Sequence, residues 1–72
     1  MEVREYKMGQ QEVIEVLEKE KEWMSAIEIA KDLGIENPTM TRRALKILFK
    51  YNEIFRKEIR IRNATMYIYK IR

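Results

Sequence analysis

Past Asn52 the spacing of apolar residues drops from about 3.6 to 2, and this constrains the chain more than any other feature. Before that point the apolar residues recur as they do on helices. After it, Ile59-Arg60-Ile61-Arg62 and Met66-Tyr67-Ile68-Tyr69-Lys70 alternate as strands do. Helices followed by one two-stranded ribbon make an α+β fold in a single domain. Asn63-Ala64 is the expected two-residue turn, with Asn63 taking positive φ. Arg62 then faces Thr65, Ile61 faces Met66 and Ile59 faces Ile68 on an apolar side expected to cover the helices. The other side pairs Arg60 with Tyr67 and Glu58 with Tyr69. It turns Arg60, Arg62 and Tyr67 outward, with Arg60 able to stack on the Tyr67 ring.

The helical part divides into three. Over residues 9–22, Val13, Ile14, Val16 and Leu17 form the apolar stripe, and Glu12, Glu15, Glu18 and Glu22 line the far side. Ser25-Ala26-Ile27-Glu28 is a capping box that starts a second helix over residues 26–33, with Met24 placed to staple onto Ile29. Ile29, Ala30 and Leu33 face inward, and Gly34 supplies the left-handed stop. Ile35, Glu36 and Asn37 then lead into a third helix over residues 38–51, with Asn37 as cap and Pro38 in the first turn. Asn52 ends that helix, being one of the few non-glycine residues that tolerate a left-handed conformation.

The third helix has two unlike sides. Met40, Thr41, Ala44, Leu45, Ile47, Leu48 and Tyr51 lie on one, with Phe49 at the stripe's edge as packing. Thr39, Arg42, Arg43, Lys46 and Lys50 lie on the other. No acidic residue occurs between Pro38 and Tyr51 to neutralise the cations. Charge is divided along the chain in the same sense. Residues 1–38 carry five cations against ten acids, whereas residues 39–72 carry ten cations against only Glu53 and Glu58. The net +3 therefore joins an acidic half to a strongly basic one, as expected of a protein that turns one face to a polyanion.

Together, Glu22-Trp23-Met24-Ser25-Ala26-Ile27-Glu28-Ile29-Ala30-Lys31-Asp32-Leu33-Gly34-Ile35, Thr41-Arg42-Arg43-Ala44-Leu45-Lys46-Ile47-Leu48 and Asn52-Glu53-Ile54-Phe55-Arg56 resemble the winged-helix (winged helix-turn-helix) DNA-binding domain. The likeness covers residues 9–72; in size and composition it is similar to small archaeal and archaeal-virus regulators. Asn52 stands where the family usually has glycine. The resemblance implies that Trp23-Met24 pairs as a short strand with the hairpin, completing a three-stranded sheet. It implies that the third helix enters the major groove of double-stranded DNA while the wing tip at Asn63 touches backbone or minor groove. Carried over residue by residue, Thr39, Arg42, Arg43 and Lys46 contact bases, and Lys50, Arg60 and Arg62 contact phosphates. Tyr67 adds an aromatic surface beside them, and Trp23 belongs to the core.

Other classes find less support in the residues. The glutamates over residues 12–22 have no His, Cys or glycine-rich phosphate loop beside them, so they read as a solvated face and not as an active site. The chain has no Cys or His, and no calcium-loop spacing, so no metal or cofactor is expected. It has no apolar run of signal-peptide or membrane-spanning type, and a soluble cytoplasmic protein without a small-molecule substrate is expected. Charged residues make up 38% of the chain, a flavour common in heat-adapted proteins. The rival reading is a winged helix serving protein–protein contact within a larger assembly, which usually loses the basic surface of its third helix. Reading a palindrome takes two copies, and the arm at residues 1–8 or the first helix could supply the homodimer contact; Val3, Tyr6 and Met8 are equally open to docking on the domain or to a frayed arm.

Overall fold

Local hydrogen bonds at the helix ends decide where each element begins and stops. The computed structural model describes residues 9–72, so the arm expected over residues 1–8 lies outside the described residues. The chain forms α1 (Gln10–Glu20), β1 (Met24–Ser25), α2 (Ala26–Asp32), α3 (Thr39–Lys50), β2 (Ile54–Ile61) and β3 (Ala64–Ile71). The α+β class is therefore observed, with three helices and one three-stranded antiparallel sheet.

Gly9 opens α1 at φ 96°, and its N–H donates to the Glu12 carboxylate at 2.8 Å. The helix stops two residues short of Glu22, because Lys21 takes the left-handed conformation at φ 53° and donates its N–H to the Leu17 carbonyl. The expected capping box opens α2: Ser25 Oγ accepts from Glu28 N–H at 3.2 Å, and the Glu28 carboxylate accepts from Ser25 N–H at 2.9 Å. Gly34 at φ 73° closes it with paired bonds to the Lys31 and Ala30 carbonyls, the second made by Ile35 N–H. Asn37 Oδ1 accepts from Thr39 N–H at 3.0 Å, the bond its capping chemistry suggested, but α3 begins at Thr39 and the N-cap falls on Pro38, one residue later than expected. Asn52 ends α3 at φ 58°, with the same paired closure onto Phe49 and Leu48.

One stripe from each helix fills the core: Val13, Ile14, Val16 and Leu17 from α1, Ala26, Ile29 and Ala30 from α2, and Ala44, Leu45 and Leu48 from α3. Met24, Ile54 and Tyr69 close it from the sheet side. Burying each of Leu17, Ile29, Leu45, Leu48 and Ile54 contributes about 1.5–3 kcal/mol. Lys19 of α1 and Asp32 of α2 form an exposed ion pair at 3.0 Å, on the side of α1 that carries the glutamates.

Strand order is β1-β3-β2, with Met24 opposite Tyr69 and Ser25 opposite Ile68. The short strand thus holds Met24 and Ser25, one residue later than expected. The hairpin departs further from expectation. Its turn is Arg62-Asn63, and it is Arg62, at φ 55°, that takes positive φ. Ile61 therefore faces Ala64, Ile59 faces Met66, Arg60 faces Thr65 and Glu58 faces Tyr67. Each β2 residue meets a partner two positions earlier than the expected one, a slip that keeps the division of the two faces.

Which face meets the helices is reversed. Ile54 and Tyr69 are buried, so the face carrying Arg56, Glu58, Arg60, Tyr67 and Tyr69 turns toward the helical layer. The Phe55, Ile59, Ile61, Met66 and Ile68 face turns away from it. Trp23 precedes buried Met24 and so shares this outer face; it is 38% exposed and not in the core, with Lys57 Nζ 5.7 Å from its ring centre. The root decides this arrangement. Ile54 follows directly on the turn that ends α3, and Met24 holds Tyr69 over the same core, so both inward positions are fixed before the alternating stretch begins.

Candidate functional site

The outward side of α3 follows from the inward one. Thr41, Ala44, Leu45 and Leu48 are buried, which leaves Thr39, Arg42, Arg43, Lys46 and Lys50 exposed. Among the described residues no carboxylate lies within ion-pairing distance of Arg42, Arg43 or Lys46. Three members of the expected apolar side stay out of the core. Met40 is 52% exposed and Ile47 also lies at the surface, because the helical stripe narrows to Thr41, Ala44, Leu45 and Leu48 where α1 and α2 press on it. Tyr51 is exposed as well, with Lys50 Nζ 6.0 Å from its ring centre.

Between α3 and the inward face of the hairpin runs a cleft lined by Ser25, Arg42, Lys46, Arg56, Tyr67 and Tyr69, with Thr65 at its outer end. Every charged side chain lining it is a cation. Of the residues expected to form the site, this cleft brings together Arg42, Lys46 and Tyr67. Thr39, Arg43, Lys50, Arg60, Arg62 and Asn63 lie outside it, exposed, with Arg62 and Asn63 at the hairpin tip.

Two details change the chemistry expected from the sequence. The Thr39 hydroxyl donates to Asn37 Oδ1 at 2.6 Å, so its proton is already used and its oxygen remains as an acceptor. The ring of Tyr67 is met by Arg56 at 4.5 Å, and not by Arg60, which the observed register places opposite Thr65. Arg56 also lies 4.0 Å from the centre of the Phe49 ring. Arg56 falls outside the residues that the helical and hairpin patterns marked for the site. Its signal was parity: Arg56 shares a face with Ile54, the first apolar residue after the helix stop and the one bound to be buried.

Tyr69 forms the floor of the cleft. Burial pushes its hydroxyl above the ordinary tyrosine value; Arg56 and Arg42 oppose that rise, and Tyr67 adds to it. Both guanidinium groups therefore act on the same hydroxyl, one from each wall. Nothing among the described residues gathers three or more carboxylate groups as a metal-binding cluster, and no helix there is long and apolar enough to cross a membrane. No family model, curated protein or solved structure matches the chain.

Proposed function

We propose that this chain binds double-stranded DNA in the manner of a winged-helix regulator, with α3 in the major groove and the hairpin acting as the wing. The observation that carries this reading is the unpaired basic side of α3. Arg42, Arg43 and Lys46 stand exposed with no described carboxylate in reach, beside a cleft whose charged lining is wholly cationic. Left-handed stops at Gly34 and Asn52, a short turn between α2 and α3, and a hairpin paired with a short strand are compatible with that fold.

In this proposal Arg43 reaches a base edge and Thr39 accepts from a base amino group, while Arg42 and Lys46 stand on the same exposed side of α3 beside the cleft. Lys50, Arg60, Arg62 and Asn63 hold the backbone on either side. The acidic side of α1 faces away, since carboxylates repel phosphate. Control of transcription then follows from occupancy of a site. The test is a titration of duplex DNA at two salt concentrations. Each neutralised phosphate steepens the logarithmic salt dependence by about 0.9, so several contacts give a steep slope. A folded protein that ignores duplexes at low salt removes the proposal.

The outer sheet face favours a second reading, protein–protein contact, because Trp23, Phe55 and Ile61 are exposed there on one surface. The same titration separates the two, as contact through that face needs no DNA.

A further inference from the structure

We propose that the cleft between α3 and the hairpin seats one backbone phosphate, gripped by Arg42 and Lys46 from the helix and by Arg56 from β2, with Phe49 and Tyr67 as positioning residues for Arg56. This deepens the DNA-binding reading and rests on it.

Arg56 is held between two aromatic rings. Its guanidinium carbon lies 4.0 Å from the Phe49 ring centre and 4.5 Å from that of Tyr67. A guanidinium packed against rings loses little hydration and keeps its in-plane N–H edge for an acceptor. A long side chain is ordinarily disordered until it binds, and ordering it costs free energy. Here two rings, one from α3 and one from β3, have already ordered it. Arg56 has no ion pair among the described residues, although Glu58 shares its strand face; Glu58 does not line the cleft.

The lining argues for the rest of the ligand. Arg42 and Lys46 are four residues apart on α3, one turn above the other, and they face Arg56 across the gap. Hydroxyls of Ser25 and Thr65 also border the cleft and can donate to an oxyanion. Arg42 and Arg56 both line the cleft at whose floor Tyr69 lies. Three cations of two elements around hydroxyl donors, with no carboxylate, suit a phosphate and leave nothing to bind a cation. The planar fork of Arg56 suits two oxygens of the same phosphate.

The experiment compares the full chain with Arg56→Lys, Arg56→Ala and Tyr67→Leu by fluorescence anisotropy on a labelled 20-base-pair duplex over a series of chloride concentrations. Circular dichroism confirms that each variant is folded. Arg56→Lys keeps the charge but loses the fork and the stacking, and it should weaken binding about tenfold, the worth of one charge-assisted hydrogen bond, with the salt slope unchanged. Arg56→Ala should lower the slope by about 0.9. Tyr67→Leu removes no charge, yet it should weaken binding in the same sense as Arg56→Lys. Inorganic phosphate, added at ionic strength matched with chloride, should compete no better than chloride does. If the full chain binds duplex steeply but Arg56→Lys and Tyr67→Leu match it, the seat is wrong and the DNA reading stands. If inorganic phosphate competes strongly, the cleft is a free-anion site and the proposal is overturned. If the full chain binds no duplex, the DNA reading itself has failed.

Discussion

The guanidinium of Arg56 on β2 stacks 4.0 Å from the centre of the Phe49 ring on α3, so the root of the hairpin is joined to the basic helix by a cation–π contact. Phe49 is half-buried against the core, which gives the contact a fixed base. Such a contact is less exposed to screening by salt than a surface ion pair, because it does not depend on a second solvated charge. The angle between hairpin and helix is therefore held by an interaction that persists under the salt conditions that would weaken binding to a polyanion.

The separate roles proposed for residues of α3 lead to a first expectation. Arg43→Ala should reduce preference for a selected duplex over a scrambled one by about 1–3 kcal/mol, the worth of a bidentate base contact. Lys50→Ala should weaken both duplexes about equally. Competition binding with the two duplexes reads this directly, and identical behaviour of the variants would contradict the assignment.

Thr41 is 2% exposed, and its hydroxyl has no hydrogen-bond partner among the described residues. A buried unsatisfied hydroxyl costs about 1–3 kcal/mol. Thr41→Val keeps the shape and removes that cost, so the variant should be more stable by about 1 kcal/mol with DNA binding unchanged. Urea unfolding gives the comparison; a less stable variant would show that the hydroxyl has a partner after all.

At the end of α1, Lys21 holds a left-handed conformation at φ 53°, which a side chain makes costly. Lys21→Gly should stabilise the fold by about 0.5–1 kcal/mol, after allowing for the greater freedom of glycine in the unfolded chain. The denaturant midpoint should rise at unchanged slope.

Tyr69 supplies a pH dependence with a defined sign. Burial raises its folded pKa above the ordinary value of 10.0, so the neutral hydroxyl favours the folded state. That contribution is fully present below pH 10.0 and is lost as pH rises through the higher folded value. Tyr69→Phe should flatten the decline in stability at alkaline pH relative to the parent chain. Thermal melts between neutral pH and pH 11 would read it, and superimposable profiles would exclude Tyr69 as the source.

Much of the helical layer could be read from residues alone because its signals are local. Ser25 with Glu28, Gly34, Asn37 and Asn52 each act within a few positions, and all four do what their chemistry suggested. The hairpin was less legible. Its turn could fall on Arg62-Asn63 or one step later, and nothing nearby separates them once Arg62 accepts positive φ. The apolar alternation of Ile59, Ile61, Met66 and Ile68 pointed the wrong way, since those residues lie beyond the core that would have given the pattern meaning. Their inward or outward sense is set at a distance, by Met24 opposite Tyr69 and by Ile54 beneath the end of α3. Thr39, Arg42, Arg43, Lys46 and Lys50 were legible as one exposed surface, because helical period alone separates them from the buried stripe. Arg56 was not, because its position depends on that same long-range choice.

Among the described residues the hairpin is anchored at its root. β1 meets β3 at Ile68 and Tyr69, Ile54 is the buried residue of β2, and from Glu58 to the turn no third described strand pairs with the ribbon. Such a ribbon behaves as a lever: a small rotation at its fulcrum sweeps the tip through a wide arc. Amide protons should therefore exchange with solvent faster step by step from Ile54 toward Arg62, in a gradient rather than as a block. A polyanion touching the tip would slow that exchange most where it is fastest in the free protein.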